Sequence, residues 1–88
     1  MNETVNQQDG TVMYKELSFG QKAVGLTFNP GGNPEVTACK ELYANLIDKL
    51  NEARNSAEGA EKKRMYSVAI TEAQSSQMWA VKAITWQY

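Results

Sequence analysis

One short stretch of the sequence places an aromatic ring, an amide and a cation where they could act together. Phe28 and Asn29 are adjacent in an extended loop, and Lys40 lies on the helix predicted to follow it. A loop aromatic can stack on a nucleobase, which contributes roughly 1–3 kcal/mol per base, while an amide can bond the base edge. Lysine could reach a phosphate. Plainer roles are also open: Phe28 could plug the end of the fold, and Lys40 could be an ordinary surface lysine.

A second candidate anion site is the basic run Lys62-Lys63-Arg64, near the start of the last predicted helix. Cations there oppose the helix dipole by roughly 0.3–1 kcal/mol each at exposed positions. The favoured interpretation is a solvated charge run, partly offset by Glu58 and Glu61. The alternative is that the cations and the helix N-terminus hold an anion together.

Composition excludes several kinds of chemistry. The 88 residues form one domain at most and contain one cysteine, Cys39, and no histidine. A disulfide within the chain, a thiol-based metal site and imidazole chemistry are therefore excluded, and Cys39 is expected to be a small core residue. No carboxylate or hydroxyl has a recognisable nucleophile–base spacing. We predict a protein that is not an enzyme and that uses no metal or cofactor.

Net charge and hydropathy limit the possible partners. The formal charge of -1 argues against binding to DNA or RNA polymers or to an anionic membrane surface. No apolar stretch approaches the length of a membrane span, and none near the N-terminus is typical of a signal peptide. A cytoplasmic protein is expected.

The elements that must position these groups begin with a short helix. Residues 1–13 are polar and without periodicity, so we expect them to be disordered, with a single domain over 14–88. Ser18 and Gln21 have the spacing of a capping box, and Gly25 is a typical helix stop. They predict a helix of about two turns, which is too short to be stable alone. It should pack through its apolar side chains, Phe19 and Val24.

A long helix is predicted after the loop. Asn33 is a good N-cap, and Pro34 suits the first helical position. Asn55-Ser56 should end this helix, with Ser56 as the cap of the next one. The predicted apolar seam consists of Val36, Cys39, Tyr43, Leu46, Leu50 and Ala53, widened by Leu42 and Ile47.

The last predicted helix, from Lys62 to Trp86, is apolar on two sides. One stripe, with steps of three and four, consists of Tyr66, Ile70, Ala73, Gln77, Ala80 and Ile84. Val68, Trp79 and Trp86 lie nearly opposite. The predicted fold is therefore all-α, a short N-terminal helix followed by a long antiparallel helical hairpin. Because one partner helix cannot cover both sides, we predict a homo-oligomer with Val68, Trp79 and Trp86 in its interface.

The sequence resembles a phage-encoded helical-hairpin family, the anti-CBASS sponges, which sequester the cyclic oligonucleotide messengers of bacterial anti-phage immunity. A related hairpin occurs in Thoeris anti-defence sponges, which bind cyclic ADP-ribose-type signals. The resemblance spans about 26–86. It is carried by Leu26-Thr27-Phe28-Asn29-Pro30, Val36-x-x-Cys39-Lys40-x-Leu42, Arg64, Ala69-Ile70-Thr71-x-Ala73 and Met78-Trp79-Ala80.

The resemblance implies a homo-oligomer, a hexamer in family members, that binds cyclic dinucleotides between protomers without cleaving them. The family's stacking aromatic corresponds to Phe28, its neighbouring polar loop residue to Asn29, and a basic helix residue to Lys40; Thr27 completes the predicted site. Arg64 corresponds to a residue linked to a separate cyclic trinucleotide site. Many relatives carry Tyr-His at the Phe28-Asn29 position, so stacking is retained here while a hydroxyl and an imidazole are lost.

The function that follows is stoichiometric capture of cyclic di- or trinucleotide messengers, by which a phage blocks CBASS signalling in the cytoplasm of the infected bacterial host. A second hypothesis belongs to a different class. In it, the protein is an oligomeric helical adaptor that binds a host protein through the face formed by Trp79 and Trp86.

Overall fold

The computed structural model describes residues 16–88, which contain three helices. They are α1 (Phe19–Ala23), α2 (Pro34–Ser56) and α3 (Ala60–Ile84). The two long helices pack as a hairpin, and α1 packs on α2. The predicted all-α fold is confirmed. The expected disorder of residues 1–13 lies outside the described part of the chain.

Both ends of α1 follow from local hydrogen bonds. The Gln21 N–H donates to Ser18 Oγ (3.1 Å), and the Ser18 N–H donates to Gln21 Oε1 (2.8 Å), which closes the predicted capping box. At the other end, Gly25 has a φ of 62° and its N–H donates to the Lys22 carbonyl. The Leu26 N–H donates to the Gln21 carbonyl, which completes a Schellman motif. The predicted start and stop of this helix are confirmed.

A close backbone contact docks α1 on α2. Gly20 is buried so tightly that a Cβ there would overlap the Ala44 carbonyl oxygen. Next to this contact, the Asp48 carboxylate accepts from the Gly20 N–H (2.6 Å) and from the hydroxyl of the N-cap serine (2.6 Å). Val24 is buried as predicted, while Phe19 is 44% exposed and has the Arg54 guanidinium of α2 5.6 Å from its ring centroid. The absence of a side chain at Gly20 lets the backbones of α1 and α2 approach closely, and the Asp48 carboxylate bonds the start of α1.

The buried face of α2 differs from the predicted seam. The core cluster consists of Val24, Ala44, Ile47, Ile70 and Ala73. Lys40 and Ala44 are buried, whereas Leu42 is 72% exposed, Leu46 is exposed and Cys39 is only partly buried. The predicted seam is thus wrong at Leu42 and Leu46 and confirmed at Val36 and Ile47, while Cys39 is less buried than a core residue. The buried residues of α2 are Val36, Lys40, Ala44 and Ile47, and the close contact with Gly20 is made at the Ala44 backbone.

The predicted stripe of α3 is confirmed, with Ile70, Ala73 and Gln77 buried against α2. Polar bonds tie the hairpin further, among them Tyr43 Oη to Ser76 Oγ at 2.6 Å. The predicted cap of α3 is wrong: Gly59 occupies the N-cap position, with no side-chain capping bond.

The two ends of α2 are formed by different hydrogen bonds. Ser56 is the last residue of α2, and its hydroxyl donates to the Glu52 carbonyl (3.2 Å) instead of starting the next helix. The predicted N-terminus of α2 is confirmed, because Asn33 Oδ1 accepts from the Glu35 N–H (2.8 Å) and Pro34 takes the first position. None of the helices in residues 16–88 has the length and apolar character that a membrane crossing requires.

Candidate functional site

The loop between α1 and α2 is held in place by its own hydrogen bonds. The Phe28 N–H donates to the Gly25 carbonyl (2.9 Å). Asn29 Nδ2 donates to the Asn33 carbonyl and to Thr37 Oγ1, both at 2.9 Å. With both amide hydrogens used, Asn29 Oδ1 is left to accept a bond from a ligand. The loop therefore presents the Phe28 ring from a defined backbone.

Lys40 is buried beneath this loop. Its side chain is only 5% exposed, and Nζ donates to the Gly25 carbonyl at 3.0 Å and to the Phe28 carbonyl at 2.5 Å. Nζ also lies 5.6 Å from the centroid of the Phe28 ring. An ammonium group has three N–H donors, and residues 16–88 use two of them. The interpretation of Lys40 as an ordinary surface lysine is wrong.

An open cavity of about 480 Å³ lies beside these groups. This volume falls within the usual range of small-molecule sites, about 300–1,000 Å³. One wall comes from the loop and α2, namely Phe28, Asn29, Pro30, Gly31, Asn33, Val36 and Lys40; the other comes from the end of α3, namely Val81, Ile84, Thr85, Trp86 and Gln87. Among the described residues that line the cavity, Lys40 provides the charge and none carries a carboxylate. The cavity thus combines aromatic surface with a cation, which suits an anion that carries a ring.

The structure gathers three of the four predicted dinucleotide-site residues at this cavity. Phe28, Asn29 and Lys40 line it, while Thr27 is exposed and is not part of the lining. The Phe28 side chain is 72% exposed, so the alternative in which it plugs the fold is wrong. An exposed ring on a bonded loop is available for stacking. The roles of all four residues remain predictions.

Arg64 lies near the opposite end of the hairpin. It is separated from the end of α3 by roughly 30 Å, at about 1.5 Å per residue. Its guanidinium makes a two-point bond to Glu61, with Nε to Oε1 at 3.0 Å and Nη2 to Oε2 at 2.8 Å. This bond lowers the pKa of Glu61 and raises the pKa of Arg64. An anion at Arg64 would have to compete with Glu61, as the solvated-run interpretation of Lys62-Lys63-Arg64 expects.

Metal chemistry finds no support in the described part of the chain. Residues 16–88 contain no group of three or more histidine, cysteine, aspartate or glutamate side chains that could hold an ion. The groups that line the cavity offer stacking, hydrogen bonding and charge.

Trp86 was predicted from sequence to be an interface residue only, yet it lines the cavity with Phe28. The sequence contained a usable signal. In an antiparallel hairpin, the end of the second long helix must return to the start of the first, so Ile84 and Trp86 had to approach the loop. The sequence pattern that put Trp86 opposite the apolar stripe describes position around the helix. It gives no information about position along the helix, so it did not indicate that Trp86 lies near the loop.

The predicted interface residues, on α3 and just after it, are all exposed. Val68 is exposed, and Trp79 and Trp86 are 68% and 60% exposed. Lys82 Nζ lies over both indoles, 5.2 Å from the Trp79 ring centroid and 5.7 Å from that of Trp86. The part of this surface in an assembly remains a prediction.

Comparison with known proteins gives one informative match. Residues 21–85 match the family model described as Acb2/Tad1, hairpin domain. Searches of curated proteins and of solved structures returned no significant match. The matched span contains the Phe28 loop, Lys40 and both long helices, and it ends one residue before Trp86.

Proposed function

Because this chain belongs to the Acb2/Tad1 hairpin-domain family of anti-CBASS and anti-Thoeris sponges, we propose that it captures cyclic dinucleotide messengers without cleaving them. One observation carries the choice of site: the buried Lys40 ammonium lies 5.6 Å from the exposed Phe28 ring at the edge of an open cavity. Capture would lower the free messenger concentration in the cytoplasm of an infected bacterium, and so allow a phage to block CBASS signalling.

The chemistry of the cavity suits a nucleotide. The free N–H of Lys40 would bond a phosphate oxygen, and its low exposure strengthens that interaction relative to a surface lysine. Phe28 would stack on a base, and Asn29 Oδ1 would accept from an amino group at the base edge. Each of these three groups recognises a different part of the same ligand.

The site is proposed to be shared by two protomers. A cyclic dinucleotide has two phosphates and two bases, whereas one chain offers a single loop aromatic with a single lysine beside it. Two chains supply both groups in duplicate and match the approximate two-fold symmetry of the ligand. Since Trp86 belongs both to the cavity and to the exposed tryptophan surface, a protomer packed there would reach the cavity rim. We propose a homo-hexamer, as in the family the sequence resembles.

A cyclic trinucleotide is proposed to bind separately, through Arg64. The position of Arg64 near the other end of the hairpin supports two independent sites, since a ligand in the cavity could not also touch Arg64 of the same chain. The bond to Glu61 means that the trinucleotide phosphate would have to displace a carboxylate.

The adaptor hypothesis is kept because of one specific observation. Met78 and Trp79 are exposed on the same side of α3, and the Met78 side chain is 62% exposed. Neighbouring exposed apolar side chains of this kind mark interaction surfaces. In this reading the partner is a host protein and the cavity is incidental.

One experiment separates these functions. The purified protein is incubated with a panel of cyclic di- and trinucleotides, freed of unbound ligand and heat-denatured, and the released ligand is identified. We expect intact cyclic dinucleotide in stoichiometric amount. Altered ligand would indicate an enzyme, and no bound ligand would favour the adaptor.

Variants of Phe28 test the proposed site. Phe28→Leu should weaken dinucleotide binding by roughly 1–3 kcal/mol for each base stacked, while Phe28→Tyr, which keeps the ring, should bind normally. Met65→Ala is the control, because Met65 is also exposed, at 53%, and does not line the cavity. Calorimetry gives the affinities. Wild-type affinity in Phe28→Leu would mean that the ligand is held elsewhere.

A further inference from the structure

The backbone after α3 is bonded so that Trp86 sits at the mouth of the cavity. The Thr85 N–H donates to the Val81 carbonyl at 3.0 Å, and the Thr85 hydroxyl donates to the same carbonyl at 2.9 Å. The Trp86 N–H then donates to the Ala83 carbonyl at 3.2 Å. These bonds extend the order of the helix beyond its last residue. They place an indole opposite the loop that carries Phe28.

The Trp86 ring is oriented by neighbours but is not covered by them. Lys82 Nζ lies 5.7 Å from its centroid, and the Tyr88 ring meets it edge-on, with centroids 5.4 Å apart and planes at 74°. Even so, the side chain is 60% exposed. A ring whose only role was to close the end of the core would be buried. Trp86 instead borders open space on the side where Phe28 and Lys40 lie.

From this geometry we infer that Trp86 is a second stacking residue of the cavity, supplying an aromatic surface to a purine base whose phosphate is held at Lys40. The inference rests on the proposed function and deepens it. Phe28 reaches the cavity from the loop, and Trp86 reaches it from the end of α3. Base stacking on indole requires no hydrogen-bond pattern, so the contribution should be similar for adenine and guanine.

Binding measurements on two substitutions test the stacking surface. Cyclic di-AMP and cyclic di-GMP serve as probes, with native mass checked by light scattering. Trp86→Leu keeps apolar volume but removes the aromatic surface, so binding should weaken roughly 5- to 150-fold. Trp86→Phe should stay within about threefold of wild type, because it keeps a stacking ring.

Fluorescence provides a readout that a purely structural role would not change. The chain has two tryptophans, so Trp79→Phe leaves Trp86 as the only indole and Trp86→Phe leaves Trp79. Either dinucleotide should quench the first protein strongly and the second hardly at all. Equal quenching in both proteins, or none in the first, would overturn the inference.

The outcomes also separate this inference from the function on which it rests. If Phe28→Leu loses binding while Trp86→Leu retains it, the sponge function stands and the role of Trp86 is wrong. If the wild-type protein binds neither probe, nor any other cyclic dinucleotide, the proposed function fails and the inference fails with it.

Discussion

The ammonium group of Lys40 holds the loop in place and also lies at the candidate site. Two of its N–H donors bind the Gly25 and Phe28 carbonyls and thereby hold the loop. The same charge is the one that would meet a phosphate. A buried lysine is tolerated only when its ammonium group is well bonded, and here the loop carbonyls provide those bonds. Stability and binding should therefore depend on the same residue.

Lys40→Met should lower both the free energy of unfolding and the affinity for a cyclic dinucleotide. Methionine fills similar space but leaves the Phe28 carbonyl without its donor, at about 1–3 kcal/mol for a buried group left unbonded. The Gly25 carbonyl loses the ammonium but keeps the Phe28 N–H. Urea unfolding measures the first effect. Calorimetry at several salt concentrations measures the second, and the salt dependence should flatten as a phosphate contact is lost.

Lys49→Met is the matched control for that experiment, since Lys49 lies on the same helix but is exposed. It should change neither quantity appreciably. A Lys40→Met protein as stable as wild type would contradict the holding role, and unchanged affinity would contradict the phosphate contact.

Arg64 gives a second prediction at this scale. Arg64→Ala should weaken binding of a cyclic trinucleotide and spare dinucleotide binding, because the side chain lies far from the cavity. Glu61→Gln should strengthen trinucleotide binding, since it removes the carboxylate that competes for the guanidinium. Calorimetry with both ligands is the measurement. Equal loss of both in Arg64→Ala would indicate one shared site.

Among the elements, α1 has the greatest influence on the site for its size. Five residues cannot form a stable helix alone, so the Gly20 contact and the Asp48 bonds must hold it. Its C-terminal turn then presents the Gly25 carbonyl to Lys40. The short helix thus determines where the loop begins, and the start of the loop determines the position of Phe28.

Gly20→Ala should undock this helix. The added methyl group would overlap the Ala44 carbonyl, which belongs to a helix backbone and cannot move aside. Overpacking of this kind costs roughly 1–3 kcal/mol, and occasionally more. Thermal unfolding should show the loss, and dinucleotide binding should fall because the loop loses its anchor.

Gly31→Ala is the control, because a Cβ at Gly31 meets nothing within 4 Å and Gly31 is not among the glycines with positive φ. It should leave the melting temperature nearly unchanged. If the two alanine variants melt together, the close contact between α1 and α2 does not hold the helix.

For the whole molecule, the main feature is apolar surface left outside a small core. Leu42 and Leu46 are exposed on α2, and Met78 and Trp79 are exposed on α3. A hairpin with one short extra helix buries limited surface, and small domains are correspondingly marginal. Association of chains through these residues would supply the missing burial.

Trp79→Ala should therefore reduce the native mass seen by light scattering. If the ring is fully buried in the assembly, the substitution should cost roughly 3–5 kcal/mol. Leu42→Ser, tested in parallel, shows whether the exposed side of α2 takes part in the same assembly. A Trp79→Ala protein with wild-type mass and melting temperature would show that this face is ordinary surface.

The features that could be predicted from the sequence are those set by neighbours in the chain. Ser18 and Gln21 form a box across one helical turn, Gly25 ends the helix through its own φ, and Asn33 bonds two residues ahead. The buried stripe of α3 was also predictable, since its apolar residues repeat with the helical period. The proximity of Phe28 and Asn29 to Lys40 followed from the loop and the helix it precedes.

The tertiary structure decided what depends on residues far apart in the chain. The close contact with Gly20 is made at Ala44, on the buried face of α2, whereas Leu42 and Leu46 are exposed although they are more apolar. The return of α3 brings Trp86 to the cavity at the loop. Helical periodicity ranks faces by hydrophobicity alone, whereas the face that is buried is the one whose shape fits the neighbouring helix.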